Sequence, residues 1–548
     1  MELECERERE SERERECDYG NIEYKLRIAP SIKKEKRIEE LISQMAYRLN
    51  EGHGECIYII GISDHGEFIG ISNDEYEETL ENLKQMAVVN SCEYTILSKK
   101  EIEPNKIVAE IYFREDYKNK YIDIKVGIAG NVDSGKSSLI GVLVSGKKDN
   151  GRGLARVSVF NYNHEIQSGR TSSIAHHIMG FDSKGAIVNY ENKRDWTEIV
   201  NMSSKIISFF DLAGHEKYLR TTILGLSSSY LDLCIIMVGA NMGVTRMTRE
   251  HIFLCVALNI PFVVVISKID IVKDRQNVLN QTIEDLKKIL KIPGIRKVVY
   301  KVKTHEDVLL SIKNKESLSL VPMFMISNVS GENIDLLKTY LNLTNKNKAY
   351  DFSKTSEVEY HIDTIFQVNG VGTVVGGHLK SGTVKVGDKL YLGPNNKLYE
   401  QYTVKSIHVK KTLVNEVSCN SYACFNLKKA LKKNLRRGQV MVSNKSQTNE
   451  IKKFVAQISI LRTHSTTIKP GYEPVLHVNS IRQTSRIIEI NEKITTKKTD
   501  EDNILRTGDR AKVTFEFKYN GEYLKEGFKI LLAEGKVKII GKIISLIE

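Results

Sequence analysis

The sequence predicts a doubly wound, mostly parallel α/β domain over residues 118–350, with a small α+β unit before it and two β-barrels after it. Between residues 121 and 349, short and almost continuously apolar runs alternate with helix-length stretches, as in strands buried on both faces of a parallel sheet. After residue 354 helical periodicity nearly disappears, and short β-branched runs punctuated by glycine replace it. A chain of 548 residues also exceeds what one hydrophobic core supports.

Composition supports a folded protein. Hydrophobic residues make up 41% and charged residues 27% of the chain, close to ordinary globular usage. No apolar stretch approaches the ~18 residues of a membrane-spanning helix, so we expect a cytoplasmic protein without a membrane partner. The eight cysteines lack metal-ligand spacing, which predicts reduced thiols rather than zinc or disulfides.

The charge is unevenly distributed. Residues 1–20 are a low-complexity tail whose first 17 residues hold eight glutamates against four arginines, and nothing in it can form a core. The rest of the chain is therefore more basic than the overall net charge of +12. Such a surplus favours RNA or DNA as a partner, with a solvated lysine-rich surface as the alternative.

The α+β unit is predicted over residues 21–117. Its elements are an amphipathic helix at 38–50, a hairpin at 58–72 that turns at 64–66, a second helix at 75–88 and a closing strand at 107–115. No catalytic constellation is visible in it.

The two barrels are predicted over residues 355–446 and 450–548. The first contains the basic segment KKALKKNLRR at 428–437. At helical spacing its basic pairs share one face with Leu431 and Leu435 opposite, so that it could bind RNA phosphates. A solvated turn is an equal alternative.

The first chemical motif is GNVDSGKS at residues 130–137, between an apolar strand and an apolar helix. Backbone N–H groups of such a loop surround phosphates, Lys136 reaches the β and γ oxygens, and the Ser137 hydroxyl binds Mg²⁺. The pattern does not distinguish ATP from GTP.

The second motif is DLAG at residues 211–214, at the end of another strand. The Asp211 carboxylate can hold the Mg²⁺ shell through water, and the Gly214 N–H can contact the γ-phosphate. D-x-x-G alone could be any strand-to-turn junction, but its order and distance from the first motif favour a nucleotide site.

The third motif, SKID at residues 267–270, selects the base. Asp270 can accept hydrogen bonds from N1–H and the 2-amino group of guanine, and adenine offers no such pair. The Lys268 stem would cover the base plane. Ile326-Ser327-Asn328-Val329, after the last strand, could offer N–H groups to the 6-oxo group. Together these features favour GTP over ATP.

With these motifs in order before two barrels, the chain resembles the elongation factor Tu class of translational GTPases. Within that class it is most similar to the GTP-binding protein 1 and GTP-binding protein 2 subfamily over residues 21–548. The stretches that carry the likeness are GNVDSGKSSLIGVLVSG, HEIQSGRTSSI, FFDLAGHEKYLRTTI, SKID, GYEPVLHVNSIRQTSRI and AEGKVKIIGKI. The implied fold is an α/β P-loop GTPase domain followed by two β-barrel domains.

The resemblance also implies residue roles. His215, directly after DLAG, would position the attacking water, and Asp133 would help bind a monovalent cation. In switch I, Ser173 would close on Mg²⁺, with Thr171 as the alternative. The polar stretch at 146–167 is expected to be a loop that orders only with nucleotide.

The complete predicted site has three parts. The catalytic residue is His215. The metal ligands are Ser137, Ser173 and, through water, Asp211. The nucleotide-binding residues are Asn131, Val132, Asp133, Ser134, Gly135, Lys136, Ser137, Ser138, Asp211, Gly214, Ser267, Lys268, Asp270, Ser327, Asn328 and Val329.

Two positions depart from the wider class. Ser267 stands where most members have Asn, so the connection between the base loop and the phosphate loop is expected to be shortened. Asn131 and Ser134 stand where elongation factors commonly have His, although this matches the named subfamily.

The leading hypothesis is an enzyme that hydrolyses GTP to GDP and phosphate with Mg²⁺ and acts with the ribosome, aminoacyl-tRNA or both. The alternative is a GTP-switched adaptor that recruits RNA-decay or quality-control proteins, with incidental hydrolysis. Its cue is the N-terminal unit, which elongation factors lack. A monomer is expected in either case.

Overall fold

A computed structural model gives the structure of most of the chain. The residues it describes are 20–29, 34–63, 67–116, 121–157, 159, 174–190, 195–292, 294–317, 319–347, 356–460, 467–494, 504–533 and 537–547. They form two compact units, drawn from Met1–Ile124, Met179–Ile207 and Thr339–Lys346, and from Lys125–Ile178, Ser208–Lys338 and Asn347–Glu548. The domain boundaries given above stay a prediction.

The N-terminal region is a four-stranded sheet with two helices. The strands are β1 (Ile22–Lys25), β2 (Glu55–Ile60), β3 (Cys92–Glu103) and β4 (Lys106–Glu115), in the order β1-β2-β4-β3. The helices are α1 (Lys34–Glu51) and α2 (Asn73–Val89). Ser72 and Glu75 form a capping box at the start of α2, which fixes where this helix begins.

The predicted hairpin at 58–72 is wrong as a two-stranded ladder. Strand β2 pairs with β1 and β4 instead, and the following segment returns through a single bridge between Ile62 and Phe68. The turn at 64–66 lies outside the described residues. Both edges of β2 are occupied by β1 and β4, so neither edge is left for the returning segment.

The next region contains a seven-stranded sheet of order β10-β11-β9-β8-β5-β7-β6. Its strands are β5 (Ile122–Gly130), β6 (Ala175–Phe181), β7 (Lys205–Asp211), β8 (Leu233–Gly239), β9 (Phe262–Ser267), β10 (Val298–Lys301) and β11 (Leu320–Met325). The pairs β10/β11, β11/β9, β9/β8 and β8/β5 are parallel. Strand order therefore reverses at β5, and a doubly wound sheet holds ligands beyond the carboxyl ends at such a reversal.

Helices connect these strands. They are α3 (Lys136–Ser145), α4 (Leu154–Val157), α5 (Trp196–Met202), α6 (Leu219–Ser228), α7 (Arg246–Leu258), α8 (Gln276–Leu290), α9 (His305–Lys313) and α10 (Ile334–Leu343). One continuous apolar core lies under β8, β9, α7 and α8. Within the described part of the chain, no helix is long and apolar enough to cross a membrane.

The first barrel consists of short antiparallel strands. They are β12 (Glu359–Val368), β13 (Gly372–Ser381), β14 (Thr383–Lys385), β15 (Lys389–Asn395), β16 (Leu398–Val409), β17 (Thr412–Val414), β18 (Glu416–Ser418), β19 (Ser421–Leu427) and β20 (Val440–Val442). The order β15-β20-β12-β13-β19-β16 is closed by pairing of β15 with β16. The core includes Tyr360 stacked on Phe425.

The second barrel is closed in the order β21-β26-β24-β23-β27-β28. Its strands are β21 (Lys453–Ile460), β22 (Thr467–Ile468), β23 (Val475–Val478), β24 (Ile481–Lys493), β25 (Leu505–Arg506), β26 (Arg510–Phe517), β27 (Lys529–Ala533) and β28 (Val537–Ile547). Phe454, Phe515 and Phe517 pack together inside it. The predicted fold class is confirmed.

The basic segment of the first barrel is a turn and not a helix. It contains only a 3-10 turn at Lys432–Asn434, and Lys429 has a left-handed backbone with φ 61°. Leu435 is buried while Leu431 is 54% exposed, so the two leucines do not share one packed face. Of the two readings of this segment, the structure matches the turn.

A buried ion cluster lies inside the first unit. Glu55 pairs with the Arg114 guanidinium at 2.9 Å and with Lys205 Nζ at 2.8 Å, and all three side chains are almost fully buried. Burial alone would raise the pKa of the Glu55 carboxyl, but Lys205 and Arg114 hold it below its usual value. The two cations together carry one positive charge more than Glu55 neutralises. In the C-terminal turn of α10, the Asn342 carbonyl accepts hydrogen bonds from Lys205 at 2.6 Å and from Arg114 at 3.2 Å. The negative end of the helix dipole thus complements the excess charge.

Removing the Glu55 carboxylate should destabilise this unit strongly. Glu55→Ala leaves two buried cations without their counter-ion, which costs about 3–5 kcal/mol of unfolding free energy. The single tryptophan, Trp196, lies in the same unit, so its fluorescence during urea unfolding reports on that unit. Glu81→Ala removes an exposed ion pair with Lys84 and is the control, expected to change the midpoint little. Equal midpoints for both variants would contradict a stabilising role for the cluster.

Candidate functional site

The phosphate loop follows the central strand of the sheet. Strand β5 is buried along almost its whole length, and the loop turns into α3 through left-handed backbone at Asp133 (φ 59°) and Gly135 (φ 84°). The Ser134 hydroxyl donates to the Asn131 carbonyl at 2.8 Å and closes the loop. Val132 in the loop and Ser138 in α3 are half-buried. The loop therefore presents its backbone at the N-terminus of α3, where anions are favoured.

Lys136 is the buried cation of this loop. Its ammonium donates to the Asn131 carbonyl at 2.8 Å and to the Gly130 carbonyl at 3.2 Å. Burial lowers the pKa of Lys136, while Asp211 and Asp133 oppose that shift. A phosphate oxygen beside the ammonium would supply the negative charge that its two carbonyl partners supply only in part.

Ser137 and Asp211 come together from two elements. Asp211 is the last residue of β7, whose seven residues are all buried, and its Oδ2 accepts from the Ser137 hydroxyl at 2.6 Å. Two hard oxygen donors at the edge of a phosphate loop are the protein ligands that Mg²⁺ uses when phosphate oxygens and water complete its octahedron. These residues therefore fit the metal that the sequence predicts.

Gly214 lies directly against the phosphate loop. A Cβ at this position would stand 2.4 Å from Lys136 Nζ and 2.7 Å from the Gly130 carbonyl oxygen. Only glycine permits this approach. The DLAG segment is thus packed on the loop in the position from which its N–H could contact a γ-phosphate.

His215 follows at the start of a 3-10 turn, Glu216–Tyr218. Its Nδ1 accepts a hydrogen bond from the Lys217 N–H at 3.1 Å, and its ring lies edge-on to Tyr218 at 6.1 Å. A neutral imidazole whose Nδ1 accepts carries its proton on Nε2. In that neutral form the Nε2–H of His215 is a donor for which the described residues show no partner.

Ser267 keeps the connection that its short side chain was expected to weaken. It ends β9, is fully buried, and its hydroxyl donates to the Ser134 carbonyl at 2.7 Å. A Cβ at Gly135 would stand 3.5 Å from Ser267 Oγ, so the phosphate loop approaches this strand closely enough for serine to reach it. The shorter side chain thus still makes the connection, and its effect on affinity stays a prediction.

Asp270 and Ser327, the residues predicted to lie near the base, contact each other. Asp270 Oδ1 accepts from the fully buried Ser327 hydroxyl at 2.6 Å, which fixes one carboxylate oxygen. Lys268, between Ser267 and Asp270, has left-handed backbone with φ 61°. The strained residue and the fixed carboxylate lie together beyond β9, as the base pocket of a guanine nucleotide requires.

The loop after β11 has most of its donors already engaged. Ser327 Oγ accepts from the N–H groups of Val329 at 3.2 Å and Ser330 at 3.1 Å, and the Ser327 carbonyl accepts from Gly331. For the N–H of Asn328 no partner is found among the described residues. Among the residues predicted to offer an N–H to a 6-oxo group, Asn328 is thus the one whose N–H has no partner in the described part of the chain.

Thr171 and Ser173 lie outside the described residues. Part of the polar stretch before them is structured, although the sequence predicted a loop throughout. Residues 146–157 include the short helix α4 and contact the loop after β11. The Asp149-Asn150-Gly151 sequence is a turn signal that could have indicated this.

Three family models cover most of the chain. The "Elongation factor Tu GTP binding domain" matches residues 123–346, "Elongation factor Tu domain 2" matches 372–442 and the "Elongation factor Tu C-terminal domain" matches 447–522. The three matches have the order of the sheet domain and the two barrels.

Two relatives are similar along almost the whole chain. GTP-binding protein 2 of Homo sapiens is 40% identical over 96% of this chain and 87% of its own length. GTP-binding protein 1 of Xenopus laevis is 39% identical over 95% of this chain and 78% of its own length. The likeness therefore includes the N-terminal region, which the family models do not cover.

Among solved structures, translation elongation factor SelB from Methanococcus maripaludis, in complex with the GTP analogue GppNHp, shares the fold. It has a TM-score of 0.55 and 22% identity over 78% of this chain and 79% of its own. The bacterial selenocysteine-specific elongation factor EF-Sec has a TM-score of 0.54 and 18% identity over 77% of this chain and 58% of its own. Both support the arrangement of sheet domain and barrels.

Ser267→Ala should weaken guanine-nucleotide binding without changing base preference. It removes the hydrogen bond to the Ser134 carbonyl, which costs roughly 1–2 kcal/mol, about 5–30-fold in Kd. Titration with a fluorescent GDP measures this, and competition by GTP and ATP measures preference. Asp270→Ala, which removes the base-reading carboxylate, should instead lose the preference for guanine. Wild-type affinity in Ser267→Ala would show that the connection is dispensable.

Proposed function

Since this chain belongs to the elongation factor Tu class of translational GTPases, together with GTP-binding proteins 1 and 2, we propose that it couples GTP hydrolysis to work on tRNA, on the ribosome, or on both. One observation carries the proposal. Two hydrogen-bonded pairs of side chains, Ser137 with Asp211 and Ser327 with Asp270, lie at the carboxyl ends of strands β7 and β9 of the same sheet. Two closed barrels follow in the chain. Such work would take place in the cytoplasm.

In the proposed complex the phosphate loop surrounds the triphosphate. Lys136 would exchange its carbonyl partners for β and γ oxygens, and Mg²⁺ would be held by Ser137 directly and by Asp211 through water. Bound there, Mg²⁺ neutralises phosphate charge. For switch I, we keep Ser173 as the further ligand, with Thr171 as the alternative. Asp133, exposed on left-handed backbone, is the proposed ligand of a monovalent cation.

Hydrolysis transfers the γ-phosphoryl group to water. The water oxygen bonds to the γ-phosphorus while the bond to the β–γ bridging oxygen breaks, and the water proton ends on the released phosphate. Phosphoryl transfer asks mainly for positioning and charge stabilisation. With its proton on Nε2, His215 can hold the water by donating to its oxygen, but it cannot accept the water's proton in that tautomer. Its proposed contribution is therefore to orient the water.

A surface of the first barrel suits RNA. We define the tip surface as Val368, Val371, Leu431, Lys432 and Lys433. The two segments that carry these residues are joined beside them, where the Thr373 hydroxyl on β13 donates to the Ala430 carbonyl at 2.7 Å. All five side chains are exposed, so ammonium groups and apolar contacts are available to one ligand. The ammonium groups can bind RNA phosphates, and the apolar side chains can contact unstacked bases of single-stranded RNA.

His215→Ala should slow hydrolysis while leaving nucleotide affinity unchanged. Loss of a residue that positions a reactant costs about 10²-fold in rate, and single-turnover hydrolysis with and without ribosomes measures it. His215→Asn keeps an N-cap acceptor for the Lys217 N–H but lacks the imidazole, so it should be equally slow. Glu216→Ala, next in the chain, is the control. Wild-type turnover in both His215 variants would remove this assignment.

The tip surface should matter for RNA binding in the GTP state. Replacing Lys432 and Lys433 by Ala should weaken retention of labelled aminoacyl-tRNA in filter binding with a GTP analogue and reduce the salt dependence of binding by about two charges. The control replaces Lys385 and Lys389, exposed lysines elsewhere in the same barrel.

Two outcomes would count against this partner. Equal and negligible retention with GTP analogue and GDP would remove the tRNA part of the proposal. If the protein also fails to co-sediment with ribosomes in either nucleotide state, the proposed action on the ribosome is wrong as well.

A further inference from the structure

Residues 146–157 follow a defined path around the nucleotide site. We call them the bracing segment. They leave the C-terminus of α3, cross the loop after β11 and return to α3 as the short helix α4. The sequence places them directly before the stretch in which the resemblance puts switch I.

On the outward path the bracing segment contacts the loop after β11, which is proposed to recognise the base, at several points. The Asp149 N–H donates to the Asn328 carbonyl at 2.9 Å, and Lys148 Nζ donates to the Ser330 carbonyl at 2.5 Å. The Lys148 stem also lies over Gly331, where a Cβ would stand 2.7 Å from Lys148 Cε. These hydrogen bonds hold the carbonyl groups of Asn328 and Ser330 in place.

On the return path the segment is anchored to the phosphate-loop helix. The Asp149 carboxylate accepts from the Ala155 N–H at 2.9 Å and so begins α4. Asn150 Oδ1 accepts from the N–H groups of Arg152 and Leu154 and closes the turn between them. Gly141 in α3 admits α4, because a Cβ there would stand 2.1 Å from the Ala155 carbonyl oxygen. Asp149 thus joins the base loop to the helix that carries the phosphate site.

We propose that Lys148 and Asp149 are positioning residues for guanine, which act by holding the Asn328 peptide in the orientation that recognises a 6-oxo group. The inference rests on the proposed GTP site. Asn328 has its carbonyl held by Asp149 and its N–H available. Its side chain is buried beside Gly135 of the phosphate loop.

The chemistry of the base decides what this positioning does. An oriented N–H donor attracts the 6-oxo group of guanine or hypoxanthine and faces the 6-amino group of adenine, donor against donor. Loosening the loop therefore weakens binding of both oxo bases and relaxes rejection of adenine. Neither substitution removes the hydrogen bond by which Ser327 holds Asp270, so the N1–H and 2-amino contacts, and with them the preference for guanine over hypoxanthine, should stay.

The test compares neighbouring lysines. Lys148→Ala removes the contact with Ser330, whereas Lys147→Ala removes the same charge from a side chain for which the described residues show no partner. Stopped-flow release of fluorescent GDP and GTP should be about 3- to 10-fold faster in Lys148→Ala, as expected for one lost hydrogen bond. Release from Lys147→Ala should match the wild type.

Asp149 is tested by substitution with Ala and Asn. Asp149→Ala loses the start of α4 and should release nucleotide faster, whereas Asp149→Asn retains an acceptor for Ala155 and should restore the wild-type rate. Competition by GTP, inosine triphosphate and ATP gives the selectivity. In Lys148→Ala and Asp149→Ala the ratio of the affinity for GTP to the affinity for ATP should fall, while the ratio of the affinity for GTP to that for inosine triphosphate should stay constant.

The outcomes separate the two proposals. A wild-type protein that binds no guanine nucleotide would overturn the nucleotide site itself. If the wild type binds and Lys148→Ala releases nucleotide at the same rate as Lys147→Ala, the bracing role is wrong and the GTP site stands. Equal loss of affinity for GTP, inosine triphosphate and ATP would also reject base positioning, because a general loosening of the fold lowers all three alike.

Discussion

The close packing of the phosphate loop against its neighbours is the constraint on which the site depends. Gly214 approaches the Gly130 carbonyl and Lys136 more closely than any side chain would allow, and Ser267 bonds to the Ser134 carbonyl. Backbone atoms make most of these contacts, so they depend on the carboxyl ends of three strands staying in register. The buried apolar runs of β5, β7 and β9 supply that register, because interiors packed at crystal density shift little.

Base recognition follows from the same arrangement. Ser327 donates to Asp270 and accepts from two N–H groups of its own loop. One buried hydroxyl therefore orients both the carboxylate and the loop, which we propose contact opposite sides of guanine. A site whose groups are fixed before binding loses less conformational entropy when the ligand arrives, and that favours discrimination between bases.

The sequence predicted the central features because they depend on local patterns. Strands buried on both faces are continuous apolar runs, and the loops after them carry the motifs. Strands β6 and β10, which lie at the two edges of the sheet, do not show such a run. An edge strand has one side open. His176 and His177 interrupt the apolar run of β6, and β10 has only four residues, the last of which is Lys301. The path of the bracing segment was missed for another reason, since its hydrogen bonds to the loop after β11 join residues far apart in the sequence.

The ion cluster shows what neither composition nor motifs can reveal. Glu55, Arg114 and Lys205 are far apart in the chain, and each alone looks like a surface charge. Their burial is tolerable because the carboxylate has two cationic partners and the Asn342 carbonyl at the end of α10 accepts from both cations. Burial of an unpaired charge costs far more than a surface pair gains. The cluster therefore constrains which strands and helix can meet, and it makes the N-terminal sheet part of one compact unit with Lys205 and the last turn of α10.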